Sequence, residues 1–544
     1  MRHYWRLSLL IILCAVLIFP IGMVQAADDK QIPAPQPMGN VKINALPPPS
    51  NVTTPGTWFK GATPPNYDPN KPPIVFVQGM HGKAQDWWSN TVYHGVNDMY
   101  EKAYNAGYRT AFVQLHDAAG GDGATQWDNG RLLVQMLEQI YNHYGQKVNI
   151  VAHSKGGPDT QAALVHYNGH GFVNKVVTLG SPHHGSHLAD LAYSWWAGWL
   201  AELLGRQDPA TYSLQTGEMA HFREQTDNHA NVNKNRYYTA AGTSWGPFPS
   251  ALWSGGAYLA VHGSNDGLVN VWSTQLPYGQ HLFTTDVDHD QIRTGTASFA
   301  RIEPTLRTAA AAGTALKNTG AAAASAQPAS DEQYIHGGSL SANQAVEREV
   351  AVDSTSPEAV FTILTKSPDV EVTLISPTGK SYSKTNKEYF AATDREFFAG
   401  ASIQAFRINR PEAGIWKVSM TSQRDDAYLL TATFTGSDTF SVDLPAKSKQ
   451  KSLPVKVKLH NPKYFDLSSI KVNIKTLAPG GKPVRSAGLQ SELKKDSKQP
   501  GRFAGQLSAG TQAGTYNVTI EITGKTKQGQ AFARTLVRSV YIGN

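Results

Sequence analysis

Residues Val148 to Gly157 read Val-Asn-Ile-Val-Ala-His-Ser-Lys-Gly-Gly, an apolar run ending in a serine flanked two residues away by Ala152 and Gly156. The run reads as a strand and Gly157–Tyr167 as a helix, which puts Ser154 on the sharp turn between them. A serine there sits in strained backbone angles with its hydroxyl exposed, and bulky residues at Ala152 or Gly156 would strike the adjoining strand and helix. Its chemistry is nucleophilic attack on an acyl carbon, which needs a base and a group to orient that base. Both follow in the expected order. Asp266 lies in Gly263-Ser264-Asn265-Asp266-Gly267-Leu268-Val269, just after Tyr258–His262, which reads as a strand. His289 lies in Asp286-Val287-Asp288-His289-Asp290-Gln291, before the last helical segment of this region. His289 would take the proton of Ser154, and Asp266 would fix its tautomer. Two alternatives stay open: Asp266 as a helix cap or Asx-turn, and His281 or His262 as the base.

The developing oxyanion needs two backbone N–H groups, one from the residue after the nucleophile and one after the first long strand. Lys155 is the former. The strand Pro73–Gln78 runs into Gly79-Met80-His81-Gly82, where Met80 would supply the latter, with glycines that let the backbone approach a substrate.

These residues need a sheet to hold them. From about 70 to 310, short apolar runs alternate with helical periods, the pattern of buried parallel strands in an α/β sheet. The strands expected are Ile74–Gln78, Thr110–Gln114, Val148–Ala152, Lys175–Leu179, Tyr237–Ala241 and Tyr258–His262, with helices such as Arg131–Tyr144. Residues 27–57, rich in proline, read as an extended leader along a domain edge. The segments 311–335, 336–445 and 446–544 read as an Ala/Gly/Ser/Thr linker and two small β-sandwich domains. The catalytic region is therefore 27–310. Residues 1–26 carry Arg2 and Arg6, an apolar stretch and Val24-Gln25-Ala26, the order of a secretory signal peptide, with an uncleaved anchor as the rival reading. The expected location is outside the cell, with cell-surface association as a variant.

Composition narrows the classes further. The single Cys14 of 544 residues lies in the signal segment 1–26, which excludes disulfide scaffolds, Cys-ligated metals and a Cys nucleophile. The formal charge of +7 is unevenly spread: residues 27–310 and 311–445 are net −4 and −5, whereas 446–544 is net +14. That last segment would attract anionic surfaces or cell-wall polymers. It lacks the interleaved aromatics of a nucleic-acid binder, so no nucleic-acid partner is expected.

With these motifs in place, residues 70–310 resemble the secreted bacterial triacylglycerol lipases of the α/β-hydrolase fold. The resemblance rests on Val75-Phe76-Val77-Gln78-Gly79-Met80, the Ala152–Gly156 elbow, Gly180-Ser181-Pro182-His183-His184-Gly185-Ser186 and Asn265-Asp266-Gly267-Leu268-Val269. It implies a doubly wound sheet with a helical cap, Ser154, Asp266 and His289 as the triad, and Met80 and Lys155 at the oxyanion hole. Gln78 and Ala152 depart from the commoner His and Gly. Some relatives bind structural calcium or zinc. Asp286, Asp288 and Asp290, or His116, Asp117, Asp122 and Asp128, could hold calcium, although solvated carboxylates explain them as well, and the ester chemistry itself requires no cofactor. The nearly uncharged aromatic stretch Leu188–Leu204 reads as a lid for lipid at an interface, or as a buried core helix. The function expected is a secreted serine carboxylester hydrolase, foremost a triacylglycerol lipase, working through a Ser-His-Asp acyl-enzyme mechanism. The alternatives are a polyester depolymerase, or a surface adhesion protein with an inactive hydrolase domain.

Overall fold

The computed structural model describes residues 32–40, 54–117, 123–205, 207–309, 332–354, 356–450, 452–483, 490–508 and 512–543. The signal peptide expected at 1–26 and residues 310–331 of the linker lie outside them. An eight-stranded sheet carries the catalytic region: β1 (Gln36–Asn40), β2 (Thr57–Lys60), β3 (Ile74–Val77), β4 (Thr110–Val113), β5 (Val148–His153), β6 (Val173–Leu179), β7 (Arg236–Gly242) and β8 (Gln280–Thr285). Their spatial order is β1-β2-β4-β3-β5-β6-β7-β8. The six strands from β3 to β8 run parallel, and β1 and β2 add an antiparallel edge beside β4. The proline-rich leader thus supplies an edge strand where it is described. Burial on both faces accounts for the continuous apolar runs of β3, β4 and β5.

Helices cover both faces: α1 (Met99–Asn105), α2 (Gln126–Tyr144), α3 (Gly156–Gln161), α4 (His187–Ala192), α5 (Gly198–Leu203), α6 (Pro209–Ser213), α7 (Thr216–Asp227), α8 (Ala251–Leu259) and α9 (Gly295–Leu306). The longest, α2, starts where the Thr125 hydroxyl accepts from the Asp128 amide and ends at Gly145 with φ +68°. Its Leu132, Leu133, Met136, Leu137 and Ile140 pack against Val75, Val77, Val113, Val148 and Ile150 of the sheet.

Two sequence expectations need correction. Tyr258–His262 is not a strand: it is the end of α8 and a 3-10 turn at Ala260–His262. The run Ala251–Leu259 is small and apolar almost throughout, so no polar face marks its helical period. Its start is set instead by Ser250, whose hydroxyl accepts from the Trp253 amide at 3.1 Å. The last parallel strand is β8, whose half-exposed edge position left it without an apolar run. The aromatic stretch Leu188–Leu204 is two short helices, α4 and α5.

The C-terminal half holds two β-sandwiches. In the first, a sheet of Ala345–Val352, Gly414–Thr421, Glu371–Ile375 and Ser381–Tyr382 faces one of Tyr389–Thr393, Ser402–Asn409, Glu358–Thr365, Asp426–Thr435 and Glu332–Leu340. Trp416, Phe361, Phe406 and Tyr428 fill the space between. In the second, Phe440–Asp443, Ser452–Leu459, Arg502–Ser508 and Lys494–Lys495 face a six-stranded sheet led by Ala531–Ile542 and Gly514–Lys525. The lysines of 452–459 follow the strand period, so Lys456 and Lys458 point to solvent while Val455, Val457 and Leu459 point inward. Among the described residues no helix is long and apolar enough to cross a membrane.

A buried ion triad fastens the sandwiches together. The Arg534 guanidinium, fully buried, donates to Glu332 Oε2 at 2.7 Å and Asp353 Oδ2 at 2.8 Å, and lies over Phe434 at 4.0 Å. Removing the cation leaves two desolvated carboxylates, so Arg534→Met is expected to cost about 3–5 kcal/mol. Chemical denaturation of the variant against wild type, with the lost stability read from the midpoint, checks this.

Candidate active site

The site is assembled at the carboxyl end of the parallel strands. β5 ends at His153, and α3 begins two residues after Ser154. Ser154 itself adopts φ +52°, the left-handed region that a β-carbon disfavours. Its amide donates to Leu179 O at 3.0 Å, and its carbonyl accepts from Gly157 N at 3.0 Å, which ties the elbow to β6 and to its own helix. At Gly156 a β-carbon would lie 2.4 Å from Gln78 O, so only glycine lets the helix start this close to β3. Ala152 is fully buried.

Asp266 and His289 meet behind the serine. Asp266 Oδ2 lies 2.8 Å from His289 Nδ1, while its Oδ1 accepts from the amides of Leu268 at 3.1 Å and Val269 at 2.8 Å. The Asp266 carbonyl also receives the His289 amide at 2.9 Å. Burial opposes a charged His289 ring, but the Asp266 carboxylate outweighs it and holds the ring's pKa above its ordinary value. Asp266 follows a 3-10 turn and irregular chain rather than a strand, so its placement comes from this local hydrogen bonding. The two rival bases sit elsewhere. His262 stacks on His187 at 3.8 Å, and His281 bonds Thr239 and Thr284.

Met80, Ser154 and His289 line one cavity of about 230 Å³, with Gly79, His153, Leu268 and Arg293. Among the described residues, neither the Met80 amide nor the Lys155 amide is spent on another protein acceptor. Gly79 brings its turn close to the nucleophile: a β-carbon there would be 3.0 Å from Ser154 Cβ. The Lys155 side chain turns away into the protein. Its ammonium lies 2.9 Å from Asp159 Oδ1 and 3.1 Å from Asp117 Oδ2, all fully buried. Burial would lower its pKa, yet the two carboxylates raise it, so the lysine stays charged and anchors the elbow from beneath.

Several further residues support the site from around it. His153 Nε2 donates to the His289 carbonyl at 2.9 Å, and burial keeps its ring neutral. Gln78, where relatives often have His, reaches Gly82 O at 2.8 Å and accepts from Gln114 at 3.1 Å, bracing the turn that carries Met80. His183 of the Ser-Pro-His run is a strut, bonded to Thr178 and Gln161 at 3.1 Å each. The acidic patches have protein partners. Asp288 takes His94 at 2.7 Å and the amides of Asp290 and Gln291, Asp290 takes Arg293 at 2.5 Å, and Asp128 bonds Thr125. Asp122 lies outside the described residues. Among the described residues no three His, Cys, Asp or Glu side chains converge as an ion site.

The first sandwich contributes to this cavity as well. Arg395, Glu396 and Phe397, on the loop between Tyr389–Thr393 and Ser402–Asn409, complete its wall. The cap is pinned by the same half of the chain. Trp196 stacks on His336 at 4.1 Å, donates to Glu521 at 2.8 Å and lies 3.9 Å beneath the Lys475 ammonium.

Comparison with known proteins follows this geometry. A family model for the PGAP1-like alpha/beta domain matches residues 68–194. The crystal structure of Bacillus licheniformis lipase BlEst2 in propeptide form is 34% identical and covers 90% of this chain and 98% of that chain, with a TM-score of 0.72. The mature form of that lipase is 48% identical over 46% of this chain and 99% of that chain, with a TM-score of 0.43. Aspergillus fumigatus lipase B is 17% identical over 41% of this chain and 48% of that chain, with a TM-score of 0.27. No curated protein matches. With a third of its residues identical to the propeptide form over nine-tenths of its length, the chain belongs to the lipase family of α/β-hydrolases and is a carboxylic ester hydrolase.

Proposed function

We propose that this chain is a secreted triacylglycerol lipase made in a closed form, in which the first sandwich occupies the entrance to its own catalytic site. The observation that carries this reading is the single cavity shared by Ser154 and His289 on one side and Glu396 and Phe397 on the other. Similarity to a lipase in propeptide form supports it.

In the reaction, His289 takes the Ser154 proton as the hydroxyl attacks the ester carbonyl, and Asp266 stabilises the imidazolium. The Met80 and Lys155 amides receive the oxyanion. His289 then protonates the leaving alcohol and activates the water that frees the acid. The apolar members of the cavity wall, Met80, Val92, Leu268 and Phe397, are the surface on which a lipid acyl chain would lie. Phe397 and Phe398 of the β-sandwich loop belong to the apolar cluster that joins this domain to the cap, with Leu188, Leu191, Ile335 and Leu429.

The loop is held by its own hydrogen bonds. Asp394 accepts from the amides of Glu396 at 2.8 Å and Phe398 at 3.2 Å, and its backbone pairs with Ala401. Glu396 faces Asp290, Arg293 and His289 of the catalytic region, Tyr93 and its neighbour Asp394. Its Oε1 is shut off from solvent without a hydrogen-bond partner among the described residues. Burial, reinforced by Asp290, pushes its carboxyl up to about 8 from 4.5. The closed loop therefore binds a proton that a free loop has released at neutral pH. Its contribution to closure is full below pH 4.5 and is lost as the pH rises through about 8.

Ser154→Ala is expected to lower turnover of short- and long-chain esters at least about a thousandfold; turnover that survives the change overturns the mechanism. Chain-length profiling on triglyceride emulsions and polyester films identifies the natural ester class. Phe397→Gly, which removes the apolar plug, is expected to raise turnover of p-nitrophenyl butyrate about tenfold, the effect of ~1.4 kcal/mol on opening. Glu396→Gln cannot ionise, so its activity should rise less steeply between pH 6 and 9 than wild type, leaving only the His289 limb. Superimposable profiles would remove Glu396 from the closure.

A further inference from the structure

The turn that carries Met80 is strained at an unusual place. Gly82 N donates to Gly79 O at 3.2 Å, closing a four-residue turn in which His81 holds the third position at φ +53°. A left-handed third residue marks the turn type that calls for glycine there, and a side chain in that conformation costs roughly 1–2 kcal/mol. Glycine occupies both ends of this turn, yet a histidine stands where glycine would be cheapest.

The imidazole explains the choice. Its Nε2 lies 3.0 Å from Asp208 Oδ2, and both side chains are largely buried. Burial alone would raise the Asp208 carboxyl, but the His81 ring prevails and holds it below its ordinary range. Asp208 is itself fixed from several sides. Its Oδ1 accepts from the Thr211 amide at 2.7 Å at the start of α6, and its carbonyl accepts from the Tyr193 hydroxyl at 3.0 Å. On another side Gly123 approaches so closely that a β-carbon there would lie 2.9 Å from the Asp208 carboxyl carbon. Thr211 also reaches Met80 Sδ at 4.0 Å.

The two oxyanion amides are thus held differently. Lys155 stands on the elbow, anchored by its buried ion cluster. Met80 stands on a turn whose central peptide has two orientations, with the third residue left-handed in one and right-handed in the other. For a residue with a β-carbon the right-handed form is intrinsically preferred, so an untethered turn would leave the orientation observed.

We propose that Asp208, acting through His81, is a positioning residue that holds the oxyanion turn in its left-handed form and so couples the cap to the catalytic centre. The inference rests on Met80 as an oxyanion donor. His81 borders the cavity, but its Nε2 is turned to Asp208; the effect of the pair falls on the tetrahedral state, which uses the Met80 amide, more than on substrate binding.

The test compares His81→Ala and Asp208→Asn with wild type in the full chain, with rates normalised to fluorophosphonate-titrated active sites. His81→Ala keeps the β-carbon that disfavours the left-handed form and removes the tether, and Asp208→Asn keeps an acceptor for Thr211. Both are expected to lower kcat on p-nitrophenyl acetate about tenfold or more with KM within twofold, and to weaken inhibition by a phenylboronic acid in proportion. Where the closed chain turns over too slowly, the same changes are made in the Phe397→Gly chain. His81→Gly, in which the left-handed form costs nothing, should recover most of the loss. A His81→Ala enzyme with wild-type kcat and boronate affinity would overturn the proposal, as would a loss confined to thermal stability or to the titratable fraction. The underlying mechanism fails separately, if Ser154→Ala keeps its turnover.

Discussion

The catalytic half depends on one backbone constraint: Ser154 must stay in a left-handed conformation that its β-carbon resists. Everything packed around it makes that conformation the only one available. β6 takes its amide, Gly156 admits the Gln78 carbonyl where any other residue would clash, and Gly79 brings the facing turn onto the serine. The fully buried Lys155 cluster with Asp117 and Asp159 locks the next residue in the chain, and Asn129 of α2 donates to both carboxylates at 2.9 and 3.0 Å. Strain of this kind persists only where the surroundings over-determine it. The small residues of the elbow are therefore a steric requirement of the fold before they are a catalytic signature.

Much of this was legible in the sequence because the parallel strands are buried on both faces and read as apolar runs. Small-residue spacing and chain order point to the elbow, Asp266 and His289, and the fold brings all three to one place. The reading failed where burial was one-sided or periodicity was absent. β8 lies half-exposed at the sheet edge and gave no run, whereas α8 is apolar on every side and imitated a strand. The bracing roles of Gln78, His81, His153 and Asp208 could not be read from the motifs and loops that hold them. They act through hydrogen bonds between residues up to 136 positions apart, and local patterns cannot encode such partners.

The β-sandwiches were legible as architecture but not as neighbours of the active site. Glu396 and Phe397 lie more than a hundred residues beyond His289, on a hairpin loop that resembles any other exposed turn in sequence. Their position follows from the docking of whole domains. Ser539 bonds Thr216 and Gly217 on α7, Asn517 bonds Gln215, and Tyr541 stacks on His221 at 3.8 Å. This surface is more polar than a sandwich core, and each polar group on it has to find its partner as the domains meet.

The Arg534 triad has a consequence for how that cover could come off. Glu332 and Arg534 stand at opposite ends of the C-terminal half, so the two sandwiches leave the catalytic region together or not at all. While the chain through 310–331 is intact, docking is intramolecular and the loop faces the serine at a fixed, high effective concentration. A break in that stretch would turn the same surfaces into an ordinary two-body complex. The place of Phe397 in the cavity wall would then depend on dilution, whereas within one chain it does not.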